Sequence, residues 1–235
     1  AETIQQSNQT TYESDVDPLR RFLMEKSINS QMKITGVAEQ KNSIIRFTNP
    51  TIIPCDTSPI FVIASIDIET GAKTNQLYSI AVHITGKNGE HKKVFMIGEK
   101  PKRHSELISF YNDERELLTN FFVWFKQIDP DIIIGWHVIG FDLLFLDNKC
   151  RELGISLDIA RANGRVSIRQ RKPSGHFISV TGRVVIDGPT MLRASFFSFE
   201  DFKLETVAQE LLGTGKTITP DENKIEEIDR QFRED

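Results

Sequence analysis

The stretch IIIGW, residues 132–136, is apolar at every position. Side chains of a strand point to opposite faces in turn, so a run with no polar alternate has no face for water. Such a strand belongs inside a sheet covered on both faces. An open antiparallel meander is therefore excluded as the whole fold, and helices must lie against the sheet. Two are at hand. Leu117, Leu118, Phe121, Phe122, Phe125 and Ile128 recur at helical spacing behind the cap candidates Asn112 and Asp113, and DPD at 129–131 stops the run. A second helix is predicted from about Phe141 to Leu153, with Gly154 as its terminator.

Upstream, IFVIASIDIE, LYSIAVHIT and KKVFMIG read as three strands in an antiparallel meander, separated by turns containing Gly and Asn. Downstream, residues 164–186 read as a long hairpin turning at KPSG. Residues 198–213 form a predicted helix, and IEEIDRQFRED starts another. The first 57 residues are polar and turn-rich, with strand-like MKITGV and SIIRF and a proline-rich closing segment, NPTIIPCDTSP. The expected organisation is a partial, β-rich N-terminal domain and linker over 1–57, then one α/β domain over 58–235.

Bulk properties exclude several classes. The chain has 235 residues, of which 39% are hydrophobic and 26% charged, as in ordinary globular proteins. No apolar run approaches a membrane span, and the N-terminus carries no signal-peptide pattern. Cys55 and Cys150 are the only cysteines, too few for a disulfide framework or a zinc site, which implies inert thiols in a reducing cytoplasm. A net charge of −4 gives no global attraction to nucleic acid, so such binding must come from a local patch.

The acids of FVIASIDIET are the first functional signal. Alternation places Asp67 and Glu69 on one face with Ser65, while Ile66 and Ile68 point into the core. Paired carboxylates repel, and burial raises their protonation further, unless water or a cation separates the charges. Hard divalent cations prefer several carboxylate oxygens. A strand end emerging into water explains the pair equally well. A second acid, Asp142, sits in the first turn of the helix that follows IIIGW, where the helix N-terminus favours an anion. Three acids converging on one patch of sheet would make a divalent-metal site.

IDIET and GWHVIGFDL resemble the first and second exonuclease motifs of the family-B DNA polymerases. GRVVIDG followed by FKLETVAQELLG resembles the stretch between that family's second and third motifs. The likeness is greatest to its bacterial, polymerase II-type members and covers the chain from about Tyr12 onward. It implies a ribonuclease H-like domain that hydrolyses the 3′-terminal phosphodiester of DNA with two Mg²⁺ or Mn²⁺ ions. Asp67, Glu69 and Asp142 would be the metal-binding catalytic residues. The implied partners are a single-stranded 3′ end or primer-template and the remainder of a polymerase chain, with no membrane, in a bacterial cytoplasm.

Two departures stand out. The family's second motif carries Asn where this chain has His137, which could steady the substrate strand through one ring nitrogen. The third motif, Tyr-x-x-x-Asp, has no counterpart, because the tyrosines stand only at Tyr12, Tyr78 and Tyr111. The resemblance thus implies a chain that stops short of that motif and is nearly inactive alone. A free-standing exonuclease and a non-catalytic single-strand-binding module remain as alternatives.

Between Ile159 and Ile186 lie Arg161, Arg165, Arg169, Arg171, Lys172 and Arg183, with no acid. Contacts to DNA phosphates or a solvated hairpin face both account for that bias. Arg165, Arg169, Arg171 and Lys172 are the DNA-contact candidates, joined by His137 and by Phe141 as a stacking residue. GTGKT at 213–217 is set aside as a phosphate loop, since Glu210 stands where its first Gly is required. Asp187 reads as a helix cap ahead of Gly188 and Pro189.

Overall fold

The computed structural model describes residues 15–42, 44–71, 74–87, 89–101, 105–171 and 175–213. The chain divides into two units, Ala1–Pro59 and Ile60–Asp235. In the first, the Asp17 carboxylate accepts from the amides of Leu19 and Arg20 and opens α1 (Pro18–Glu25). Strands β1 (Met32–Thr35) and β4 (Thr51–Pro54) pair antiparallel, as do β2 (Ala38–Lys41) and β3 (Ile44–Phe47). MKITGV and SIIRF supply β1 and β3. Their residues are mostly exposed, because a two-stranded pair has no second layer to bury against.

The second unit is organised by a six-stranded mixed sheet. The meander consists of β5 (Ile63–Thr70), β6 (Leu77–Gly86) and β7 (Gly89–Ile97), each antiparallel to the last. An edge strand not foreseen in the sequence, β8 (Ile108–Tyr111), runs parallel to β7; its four residues are too few to show a period. On the other side, β9 (Ile132–Gly135) runs parallel to β5, and β12 (Val184–Asp187) parallel to β9.

Helix α2 (Glu114–Ile128) starts where the Asp113 carboxylate accepts from the amide of Glu116 at 2.8 Å. It ends at Asp129, left-handed with φ 52°. Its face of Leu117, Leu118, Phe121, Phe122 and Phe125 is buried, and each such side chain contributes about 1.5–3 kcal/mol. Phe95 from β7 meets Phe121 edge-on, ring centroids 5.5 Å apart. Helix α3 (Asp142–Glu152) buries Leu143, Leu146 and Cys150 in the same core, beside Ala64, Ile66 and Ile68 of β5.

The core face of the sheet is therefore closed and the opposite face is partly open. Ile133 is buried, yet Ile132 and Ile134 are only half-buried, so IIIGW meets the expectation of full cover on the core side alone. A groove of about 320 Å³ on the open face is lined by Ser65, Asp67, Ala81, His83, Lys92 and Val94, among others.

The remaining elements are the hairpin β10 (Val166–Arg171) and β11 (Gly175–Val180), α4 (Gly188–Ala194) and α5 (Leu204–Leu212). The helix predicted over 198–213 begins only at Leu204. The Asp201 carboxylate accepts from the amide of Lys203 at 2.9 Å, and Lys203 is extended, a local bond that competes with helix. The helix predicted within IEEIDRQFRED lies outside the described residues. Among the described residues no helix is long and apolar enough to cross a membrane.

Candidate functional site

β5, β9 and β12 are mutually parallel, so their carboxyl ends meet at one edge of the sheet. Open α/β sheets place ligands at such an edge. Asp67 and Glu69 stand near the end of β5, opposite Ala81 and Ser79 of β6. Asp187 is the last residue of β12 and lies level with Gly135 of β9. The chain leaves β9 through residues 136–141 and re-enters the edge as α3, whose first residue is Asp142.

Pairing explains how that helix is fastened. The parallel ladder between β5 and β9 ends at Ser65 and Ile134, which frees the following amides on that side of β5. The amide of Ile68 donates instead to the Asp142 carboxylate, at 3.1 Å. A backbone group between Asp67 and Glu69 thereby holds the third acid, and α3 needs no side-chain cap. Gly135 permits the close passage: a Cβ there would stand 2.8 Å from the Ile66 carbonyl oxygen and 2.8 Å from Cβ of Val138.

The far end of α3 is pinned too. The buried Lys149 ammonium lies 3.2 Å from Glu114 and 3.1 Å from Glu152, and Glu114 also accepts from the amide of Leu77 at 2.7 Å. One carboxylate therefore links the starts of α2 and β6 to the helix that presents Asp142.

The electrostatics differ among the acids. Asp142 is 2% exposed, and its carboxyl is pushed up to about 6, first by burial, then by the charge of Asp67 and, less, that of Asp187. Asp67 and Glu69 are exposed. The expectation that burial weighs on the β5 pair is thus corrected: their face of the sheet is open, and burial falls on Asp142. Among the described residues, no three His, Cys, Asp or Glu side chains are gathered closely enough to hold a metal. The donor set nevertheless fits a hard divalent cation. All of the oxygens are carboxylate, and a cation beside Asp142 would relieve the charge that burial penalises.

Asp187 caps α4, its Oδ1 accepting from the Thr190 amide at 3.2 Å and from the Thr190 hydroxyl at 2.7 Å. Its effect on Asp142 was not visible in the sequence. The signal that could have found it is the parallel placement of VVID beside IIIG, which brings both strand ends to one edge.

The entry loop carries His137 and Phe141. His137 is exposed with φ 58°, left-handed backbone that Asn adopts more readily than most residues, which gives a backbone reason for Asn in the resembling motif. Phe141 is 50% exposed.

The basic segment sorts into two classes. Arg161 donates to the carboxylates of Asp129 and Asp131 and to the Gly182 carbonyl. Arg183, its side chain 1% exposed, lies 2.8 Å from Asp129 and donates to the carbonyls of Ile159 and Pro130. These two cations hold the hairpin base to the DPD corner, acids that are distant in sequence; they are not part of a free basic face. Arg165 and Arg169 are exposed. Arg171 pairs with Gly175 in the hairpin, and Lys172 lies outside the described residues.

Comparison with known proteins follows the same lines. The family described as DNA polymerase family B, exonuclease domain, matches residues 9–207. DNA polymerase II of Escherichia coli (strain K12) is 37% identical over 232 residues, covering 96% of this chain and 28% of that protein. The DNA polymerase of Archaeoglobus fulgidus is 32% identical over 136 residues, 57% of this chain and 16% of that protein. The solved structure of the family B DNA polymerase from the hyperthermophilic archaeon Pyrobaculum calidifontis superposes with a TM-score of 0.63 at 20% identity, over 89% of this chain and 27% of that one. The likeness in structure shows the fold, a mixed sheet with packed helices of the ribonuclease H-like kind. The chain spans less than a third of the length of each of these polymerases.

Proposed function

The chain belongs to the exonuclease-domain family of the family-B DNA polymerases, and from that membership we propose that it removes nucleotides from the 3′ end of DNA by metal-assisted hydrolysis, as the proofreading part of a longer polymerase. The observation that carries this reading is the bond from the Ile68 amide to Asp142, which knits the IDIE strand and the GFD helix into one acidic edge.

Asp67, Glu69 and Asp142 are the residues that would hold Mg²⁺ or Mn²⁺. Bound there, such ions would supply Lewis acidity toward the phosphodiester and its attacking water. Asp142 is held by the Ile68 amide on a helix anchored through Lys149, whereas Asp67 and Glu69 project from an exposed face toward a substrate. His137 and Phe141, exposed on the entry loop, face the incoming strand; Phe141 offers a ring on which a base can stack. Arg165 and Arg169 hold the strand's phosphates more remotely.

The absence of a gathered set of three ligands among the described residues favours a second reading, a single-strand-binding module with structural acids. Thermal denaturation separates the two. Mn²⁺ raises the melting temperature of the catalytic domain and Asp67→Ala abolishes the rise, whereas structural acids give an equal rise in both proteins or none. A version of the chain extended toward the length of its relatives is then expected to digest 3′-labelled single-stranded DNA, and Asp142→Ala to stop it.

A further inference from the structure

The end of α4 and the segment after it, ASFFSFEDF at 194–202, hold four phenylalanines. The helix closes there in a Schellman turn: the amide of Phe197 donates to the Leu192 carbonyl and that of Phe196 to the Arg193 carbonyl, both at 3.1 Å. Phe196 occupies the left-handed position of that turn, with φ 63°. Glycine fills that position without steric cost, whereas a bulky side chain is strained in it. Burial does not offset the strain, because Phe196 is 95% exposed. Its placement therefore has no structural reason within the fold, and strain of that kind collects where a chain meets a partner.

The neighbouring rings form a ladder. Phe197 and Phe199 stack with centroids 6.0 Å apart and planes 5° from parallel, and Phe199 meets Phe202 edge-on at 5.4 Å. The Arg193 guanidinium of α4 lies over the Phe202 ring, 4.0 Å from its centroid. This inner end is tied to the entry loop of the acidic edge, where the Trp136 indole N–H donates to the Phe202 carbonyl at 3.2 Å. The same indole lies against the start of α4, since a Cβ on Gly188 would stand 2.8 Å from its Cε3. At the outer end, Phe197 is packed on Phe199 yet still 47% exposed, so the stack stops at an open ring beside Phe196.

We propose that Phe196 and Phe197 stack against an unpaired base of a DNA single strand, upstream of the 3′ terminus that reaches the acidic edge. The inference rests on the exonuclease reading. A stack of parallel rings presents a flat face, which suits a flat base, and an exposed cation, Arg193, stands beside it, the combination that single-strand platforms use. The tie through Trp136 places this platform on the side of the loop that carries His137 and Phe141. Stacking of this kind is indifferent to sequence and independent of the hairpin arginines.

The test measures the anisotropy of 5′-labelled oligothymidylates of about 4 and about 12 nucleotides with the 235-residue chain in Ca²⁺. The longer strand binds more tightly. Phe197→Ala and Phe196→Gly each weaken its binding about tenfold and leave the salt dependence unaltered, because stacking releases no counterions. Phe197→Trp keeps the wild-type affinity. Phe196→Gly also raises the melting temperature, since glycine relaxes the left-handed turn and the lost ring was exposed. The proposal is overturned if both variants bind the longer strand like the wild type, the outcome that a protein partner on these rings would give. It is equally overturned if Phe196→Gly lowers the melting temperature, which makes the ring a packing residue, or if the loss of affinity comes with a flatter salt dependence. An Asp67-dependent Mn²⁺ rise in melting temperature, with strand binding unaltered in the Phe variants, removes the platform and leaves the exonuclease reading standing. A wild type with no Mn²⁺ response and no preference for the longer strand removes both.

Discussion

At Asp142 a single carboxylate is buried, fastened to Ile68 and repelled by two other acids, and this combination has a measurable consequence. Its pKa in the fold, about 6, lies above the ordinary 3.8. Between those values the native state binds more protons than the unfolded one, so stability falls as pH rises. The penalty is complete above the folded value and absent below the unfolded one. That difference corresponds to on the order of 3 kcal/mol. In EDTA, urea titrations are therefore expected to show the protein gaining stability as pH drops from 7 toward 4. Asp142→Asn, which keeps an oxygen for the Ile68 amide, should flatten that profile and stabilise the chain at pH 7. A profile unchanged by the substitution would place the repulsion elsewhere. Asp67, Glu69 and Asp142 were all legible in the sequence, because strand alternation and the start of a helix are local facts. Which of them bears the burial was not, since it depends on where the β5–β9 ladder stops and on β12 arriving beside them.

At the scale of elements, the hairpin shows how a charge run divides by contact. Arg183 is enclosed and bonded to two carbonyls and Asp129, whereas Arg165 is exposed. Arg183→Leu leaves the Ile159 and Pro130 carbonyls without that donor and Asp129 with Arg161 alone, and is expected to cost ~1–3 kcal/mol in urea unfolding. Arg165→Ala should change stability by no more than about 0.5 kcal/mol. Equal effects would contradict the division. DNA binding should show the reverse order. Replacing Arg165 and Arg169 together lowers the salt dependence of single-strand affinity by about 0.7 per lost phosphate contact, and an unaltered slope would make them solvated surface. The run itself was legible, as were α2, α3 and the two hairpin strands, all governed by short-range periodicity; the turn expected at KPSG falls largely outside the described residues, and residues 184–186, expected in the hairpin, belong instead to β12 of the main sheet. The acids that neutralise Arg161 and Arg183 were not, because they lie across the fold at Asp129 and Asp131. Likewise the start of α5 was misjudged because one Asp201 side chain outweighs the propensity of the residues around it.

Over the whole molecule, every residue of the candidate site and the entire contiguous core belong to the unit Ile60–Asp235. The boundary expected after residue 57 rests on a polar, turn-rich composition and its proline-rich closing segment, and the division in the fold falls between Pro59 and Ile60. The described short strands before it are largely exposed and pair in two-stranded ladders, so that unit buries little apolar area of its own. The second unit, in contrast, closes one face of a six-stranded sheet with α2 and α3. We therefore expect residues 60–213 alone to melt in a single cooperative transition and to show the same Mn²⁺-dependent rise in melting temperature as the whole chain. Because metal binding stabilises only the state that holds the site, the size of that rise at fixed Mn²⁺ measures whether the site is intact. Asp67→Ala in the shortened protein should abolish the rise without preventing folding, since Asp67 is exposed and lies outside the core. A shortened chain that melts cooperatively but has lost the Mn²⁺ response would contradict the placement of the site within residues 60–213.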